Sequence, residues 1–267
     1  MIPNPIRRVL SSIAANRVRA LLMGGQACVL YGAAEFSRDT DLAILAGPGN
    51  LKRLRAALAD LQASVIAVPD FEPQYLRAGH AVHFRCQDKD APGMRIDVMA
   101  KMRGVASFSK LWARRATVLL SDGTRCEVMG LSDLVAAKKT QRDKDWPMVR
   151  RLVEAHYFQN QDKPNAAQVR FWLRELRTPE LLIECGSRWP SACRTQQRHR
   201  GLLAKALRAN QAGLESALKD EEGAERRADA RYWAPLKAEL EKLRHARLTR
   251  EPQSYARGLG SGRPRHR

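Results

Sequence analysis

Long apolar runs are missing from this 267-residue sequence, and nothing in it approaches the roughly 20 consecutive apolar residues that span a bilayer. The stretch Met1 to Arg19 carries Arg7, Arg8, Arg17 and Arg19 without the apolar segment and cleavage site of a secretion signal. A soluble, cytoplasmic protein without a membrane partner is the expectation. Cysteine is also scarce. Cys28, Cys86, Cys126, Cys185 and Cys193 are odd in number and have no CxxC spacing, which argues against a disulfide framework and a structural zinc site and for reduced thiols. Aromatic residues are 6% of the chain, and the five tryptophans are dispersed, as suits core or interface positions better than a platform for stacked bases. Acidic residues are outnumbered 28 to 47 by Lys and Arg, giving a formal charge of +19. Residues 1–133 contribute net +6 and residues 134–267 net +13, a field that attracts polyanions or simply keeps the surface solvated.

What is present is 44% hydrophobic residues, ordinary for a globular chain, in a pattern that changes along the sequence. The pattern predicts a helix over 5–15, a strand from Val18 to Met23 ending at Gly24-Gly25, a short helix from Gln26 stopped by Gly32, and a strand from Asp39 to Leu45. Leu51, Leu54, Leu58 and Leu61 have helix spacing. His80 to Cys86 alternates, with Val82, Phe84 and Cys86 on one face and His83 and Arg85 on the other, and pairs as a hairpin with Met94 to Met99. Asp122-Gly123 marks a second hairpin joining Thr117–Leu120 to Arg125–Met129. Helices follow over 132–140, 145–158, 165–177, 180–186, 195–210 and 213–247, the last kinked or split at Pro235. The fold class is therefore α/β (α+β): a mixed-sheet core at 1–130, an α-helical region at 131–250 and a disordered basic tail at 251–267.

The chemistry lies in the carboxylates. Asp39 and Asp41, two apart on a strand, project from the same face. Magnesium takes hard oxygen ligands and keeps several waters, so a few carboxylates together with substrate phosphates complete its shell. Asp97, between apolar Ile96 and Val98, supplies a third carboxylate from another strand, and an acid in an apolar strand is costly without a partner. His80, His83 and Cys86 have the residue types of a zinc site, but His83 and Cys86 fall on opposite strand faces.

These elements, Met23-Gly24-Gly25, thirteen intervening residues, Asp39-Thr40-Asp41 and Ile96-Asp97-Val98, resemble the polymerase-beta-like nucleotidyltransferases. More narrowly, GGQACVLYG, SRDTDLAIL, RIDVM and GLSDLVAAKKTQRDKDW look like the bacterial minimal nucleotidyltransferases related to AbiEii-type abortive-infection toxins, over residues 18–155. The resemblance implies that Gly24 and Gly25 let the backbone approach the triphosphate, with N–H groups at the opening of the short helix as donors. It implies that Asp39 and Asp41 bind two magnesium ions, with manganese as an alternative, and that Asp97 binds the catalytic one. It also implies that Lys138 or Lys139 holds the NTP, against the plain reading of a solvated basic helix face. His83 and Arg85 either face the same side as the carboxylates and touch nucleotide or acceptor, or, more simply, form a polar strand face. Asp145, before Trp146-Pro147, reads as a helix cap and stays outside the site.

Two functions follow as expectations. One is a nucleotidyltransferase moving a nucleoside monophosphate from NTP to an RNA, protein or small-molecule hydroxyl, toxin-like and with an antitoxin partner. The other is a basic nucleic-acid-binding protein on the same fold without turnover. On either, the region beyond about residue 212 is expected to serve the acceptor and to be separable from the nucleotide site.

Overall fold

Asn4-Pro5 opens the first helix, where proline forfeits no intrahelical bond, and Ile6, Val9, Leu10 and Ile13 then fall on one buried face. The computed structural model describes residues 3–258. Its core elements are, in chain order, α1 (Asn4–Ala15), β1 (Ala20–Met23), α2 (Gly24–Leu30), β2 (Asp39–Ile44), α3 (Pro48–Asp60), β3 (Ser64–Val65), α4 (Pro73–Ala78), β4 (Val82–Arg85), β5 (Arg95–Met99), α5 (Phe108–Ala113), β6 (Ala116–Leu119) and β7 (Arg125–Val128). The helical part follows as α6 (Leu131–Lys138), α7 (Asp145–Asn160), α8 (Ala166–Glu175), α9 (Pro179–Arg188), α10 (Pro190–Gln197), α11 (Leu203–Leu207) and α12 (Gln211–Gly258).

The strands form one mixed seven-stranded sheet in the order β3-β4-β5-β2-β1-β7-β6. β2 lies between antiparallel β1 and parallel β5, and β5 pairs antiparallel with β4. The Asp122-Gly123 turn joins β6 to β7, with Gly123 at φ 79° and Asp122 Oδ1 accepting the Thr124 N–H at 2.9 Å. Along β2, β5 and β4 the period of two separates buried Thr40, Leu42, Ile96, Val98, Val82 and Phe84 from Asp39, Asp41, Arg95, Asp97, His83 and Arg85. Each aliphatic side chain buried in full is worth about 1.5–3 kcal/mol. A slip of one residue would turn the carboxylates into that core, so the register is strongly specified.

In the helical part Tyr157, Trp172, Leu173, Leu176, Leu182 and Leu203 are buried, and they continue the same apolar core that underlies the sheet. α8 begins with a capping box, in which Asn165 Oδ1 accepts the Gln168 N–H and Gln168 Oε1 accepts the Asn165 N–H. Instead of one stretch over 195–210 there are two short helices, α10 and α11. β3, α4 and α5 are too short to leave a periodic signal.

α12 is one continuous helix, without the split expected at Pro235. Pro235 is exposed, while its neighbours Tyr232 and Leu236 lie over Gly79, so the missing backbone bond faces water and the packed side keeps the helix in line. The helix enters the stretch expected to be disordered and is described through Gly258; 259–267 lie outside the described residues. Leu236, Leu240 and Leu243 share one face of this helix by their spacing; Leu236 is buried and Leu240 and Leu243 are half-buried. Glu239 Oε2 meets Nε2 of the fully buried His80 at 2.8 Å, so α12 is anchored on the sheet domain. Among the described residues no helix is long and apolar enough to cross a membrane, and all five cysteines are buried and free.

Candidate active site

The strand register sets the site. Met23 pairs with Asp41, Asp41 with Asp97 and Asp97 with His83, so two carboxylates and an imidazole stand in one row across β2, β5 and β4. Asp39 occupies the next row, paired with Arg95.

Asp41 is seated on the turn between β1 and α2. Gly24 has φ +67°, and a Cβ there would lie 1.8 Å from Asp41 Oδ2, so position 24 needs glycine for both its backbone and its neighbour. The Gly25 N–H, expected to face phosphate, acts on the Asp41 carboxylate and favours its charge. Burial and then the charge of Asp97 push Asp41 above its usual range, while Lys138 and the Gly25 N–H pull it down.

Asp97 has the opposite shift. Burial opposes its ionisation, but hydrogen bonds from His83 and Arg95 outweigh this and hold it below the ordinary carboxylate value. Oδ1 lies 2.8 Å from both Arg95 Nε and His83 Nδ1. The same Nδ1 is 3.1 Å from Arg95 Nη2: with its proton on Nδ1 the imidazole donates to the carboxylate, and without it Nδ1 accepts from Arg95. Arg95 thus supplies positive charge beside Asp97, and Asp39 and Asp41 also act on it.

Lys138 and Lys139, adjacent at the end of α6, part company. Lys138 Nζ donates to Asp145 Oδ1 at 3.1 Å, and its charge reaches Asp41. Lys139 Nζ turns to Glu175 Oε2 of α8, at 2.6 Å. Asp145, 2% exposed, is not a helix cap: besides Lys138 it accepts from Thr140 Oγ1 at 2.6 Å and Arg142 Nε at 2.7 Å. Burial disfavours its charge, yet Lys138 and these donors hold the carboxyl low. Burial pushes the Cys28 thiol of α2 up to about 11, with Lys138, Asp145 and Asp41 all acting on it. His80 and Cys86 are not near this row, since His80 faces α12 and Cys86 lies in the core.

For a divalent cation, the donor chemistry fits. Asp39, Asp41 and Asp97 offer hard carboxylate oxygens from one face of the sheet, and Asp41 bears repulsion from Asp97 that a cation would relieve. In the arrangement described, no three His, Cys, Asp or Glu side chains among the described residues are gathered into a ligand set.

No protein-family model matches the sequence, and no curated protein does. Among solved structures the chain is similar to one from H. pylori named "putative nucleotidyltransferase", with 13% identity, a TM-score of 0.37, and 82% of this chain and 94% of that chain covered. A likeness this loose carries no argument about function, which rests on the site.

Proposed function

We propose that the chain is a nucleotidyltransferase that moves a nucleoside monophosphate from an NTP to an acceptor hydroxyl and releases pyrophosphate. The observation that carries this reading is the placement of Asp41 and Asp97 side by side on adjacent strands, with the Gly24-Gly25 turn against Asp41 and Lys138 within electrostatic reach.

In this reading Asp39 and Asp41 would hold two magnesium ions, or manganese, and Asp97 the one nearest the acceptor. When bound, the ions would neutralise phosphate charge and make the acceptor hydroxyl a better nucleophile. The acceptor oxygen forms a bond to the α-phosphorus as the bond to the bridging oxygen breaks. Its proton passes to Asp97 Oδ2, the oxygen that neither Arg95 nor His83 contacts. Lys138 offsets negative charge on the departing pyrophosphate, and Asp145 holds that ammonium in place. The excess of basic residues over 134–267 favours RNA as the acceptor over a protein or small molecule. The toxin-like resemblance adds growth arrest on expression, relieved by a partner antitoxin.

The test is incubation with each labelled NTP, magnesium and a cell extract, followed by separation of RNA, protein and small molecules. Label in one fraction, pyrophosphate released, and both lost in Asp97→Asn, would support the proposal. One observation favours a second reading, a nucleic-acid-binding protein without turnover: Arg95 already neutralises Asp97. Salt-sensitive RNA binding with no pyrophosphate release would select it.

A further inference from the structure

Lys138 ends a helix, and the chain beyond it, Lys139 to Lys144, belongs to no helix or strand until α7 begins at Asp145. A segment without its own ladder must find partners for its backbone elsewhere. The Thr140 carbonyl accepts Trp146 Nε1 at 2.9 Å. The N–H groups of Lys139, Thr140 and Arg142 find acceptors close by, in the Ala136 and Lys138 carbonyls and Thr140 Oγ1, and further partners come from far away in the sequence. Asp229 of α12, 2% exposed, accepts the Gln141 N–H on Oδ2 at 2.8 Å and Arg103 Nε on Oδ1 at 3.2 Å. Arg103 then donates through Nη2 to the Lys139 carbonyl at 2.6 Å and to Glu225 of α12 at 2.8 Å. Arg226 pairs with Asp143, and Lys237 Nζ approaches Gln141 Oε1 at 3.4 Å.

Arg103 lies just beyond β5, the strand that carries Asp97. One buried α12 carboxylate therefore ties the chain after Asp97 to the chain after Lys138. Among the described residues, no other acidic side chain bonds both Arg103 and the backbone of this segment.

We propose that Asp229 is a positioning residue of the nucleotide site, acting through Arg103 and the Gln141 N–H to keep Lys138 on Asp145 and within reach of the triphosphate. This rests on the nucleotidyltransferase reading. It makes α12 part of the nucleotide site, where an acceptor-binding appendage separable beyond residue 212 was expected.

The experiment is a double-mutant cycle in the full-length chain. Asp229→Ala, Lys138→Ala and the double variant are compared for binding of fluorescent analogues of the four ribonucleoside triphosphates with magnesium, for transfer, and for melting temperature. Displacing a charged group by about an ångström costs on the order of 10²-fold in rate, so Asp229→Ala is expected to lower transfer by roughly that factor and to weaken analogue binding about tenfold. In the Lys138→Ala background the same change is expected to cost no more than about twofold, because both remove one interaction. Losses that multiply would overturn the proposal and leave Asp229 a fold-stabilising residue. If Asp229→Ala melts below the assay temperature, Arg103→Gln tests the same link in the same cycle with the same two outcomes. A wild-type chain that binds none of the analogues overturns the nucleotidyltransferase reading and this inference with it, a failure distinct from a multiplicative cycle in a chain that binds.

Discussion

The Oδ2 atom of Asp41 lies 1.8 Å from where the first side-chain carbon of any residue at position 24 would stand. Carboxylate and glycine are therefore one unit. At Gly25 the nearest obstacle to such a carbon is the Ser37 hydroxyl, which would lie 2.7 Å from it, and that side chain is able to turn aside. Gly24→Ala is expected to abolish transfer to below about 1% and to cost on the order of 1–3 kcal/mol, since it combines a positive φ with a displaced carboxylate. Gly25→Ala should fall by less than about tenfold. Side-by-side rates and melting curves check the ranking, and equal losses would refute it.

Asp41 and Asp97 should respond oppositely to removal of charge. For Asp41 the folded-state pKa is raised, so the ionised carboxylate destabilises the fold increasingly as pH climbs through the carboxylate range. Asp41→Asn is expected to melt higher than wild type at pH 7, with the gain vanishing on acidification. For Asp97 the pKa is lowered, so its stabilisation is complete above the unfolded value and lost as pH falls through the folded one. Asp97→Asn should therefore melt lower at pH 7, by about 1–3 kcal/mol, and converge with wild type in acid. Both should be inactive. Thermal melts from pH 3 to 8 decide the matter.

Lys138→Met is expected to weaken nucleotide binding about tenfold or more and to lower stability, because Asp145 stays buried with one cation fewer. Lys139→Met should leave binding within about twofold and only loosen the tie between α6 and α8. Calorimetric titration with magnesium and NTP separates the two. A large loss of affinity in Lys139→Met would mean its side chain leaves Glu175 when nucleotide arrives.

Pro235→Ala restores a backbone donor to the exposed side of a helix that continues past it. The change should stabilise by about 1–3 kcal/mol, several degrees in Tm. An unchanged or lower Tm would show that α12 depends on the proline's geometry.

Much of the sheet was legible because its signals are local. The alternation through Asp39-Thr40-Asp41 and Ile96-Asp97-Val98 fixes which side chains share a face, and Asp122-Gly123 announces its own turn. The site was legible only as far as such signals reach. Lys138 and Lys139 are neighbours whose separate fates depend on Asp145 and on Glu175 of α8, contacts that no periodicity encodes. Asp145 reads as a cap because Trp146-Pro147 follows it; its burial depends on a turn, 139–144, held by α12. The role of Arg95 beside Asp97 was equally hidden, since an arginine at a strand edge is most simply a solvated one.

The link from Arg103 to Asp229 spans 126 residues of chain. At about 5–20 residues per second, roughly 6–25 s of synthesis separate the two. Once Lys138 has been made, a nascent chain spends the rest of that interval with its carboxylates and its lysine but without Asp229 of α12. On the role proposed for Asp229, the order of synthesis imposes a delay, and the nucleotide site is complete only when α12 has left the ribosome and docked.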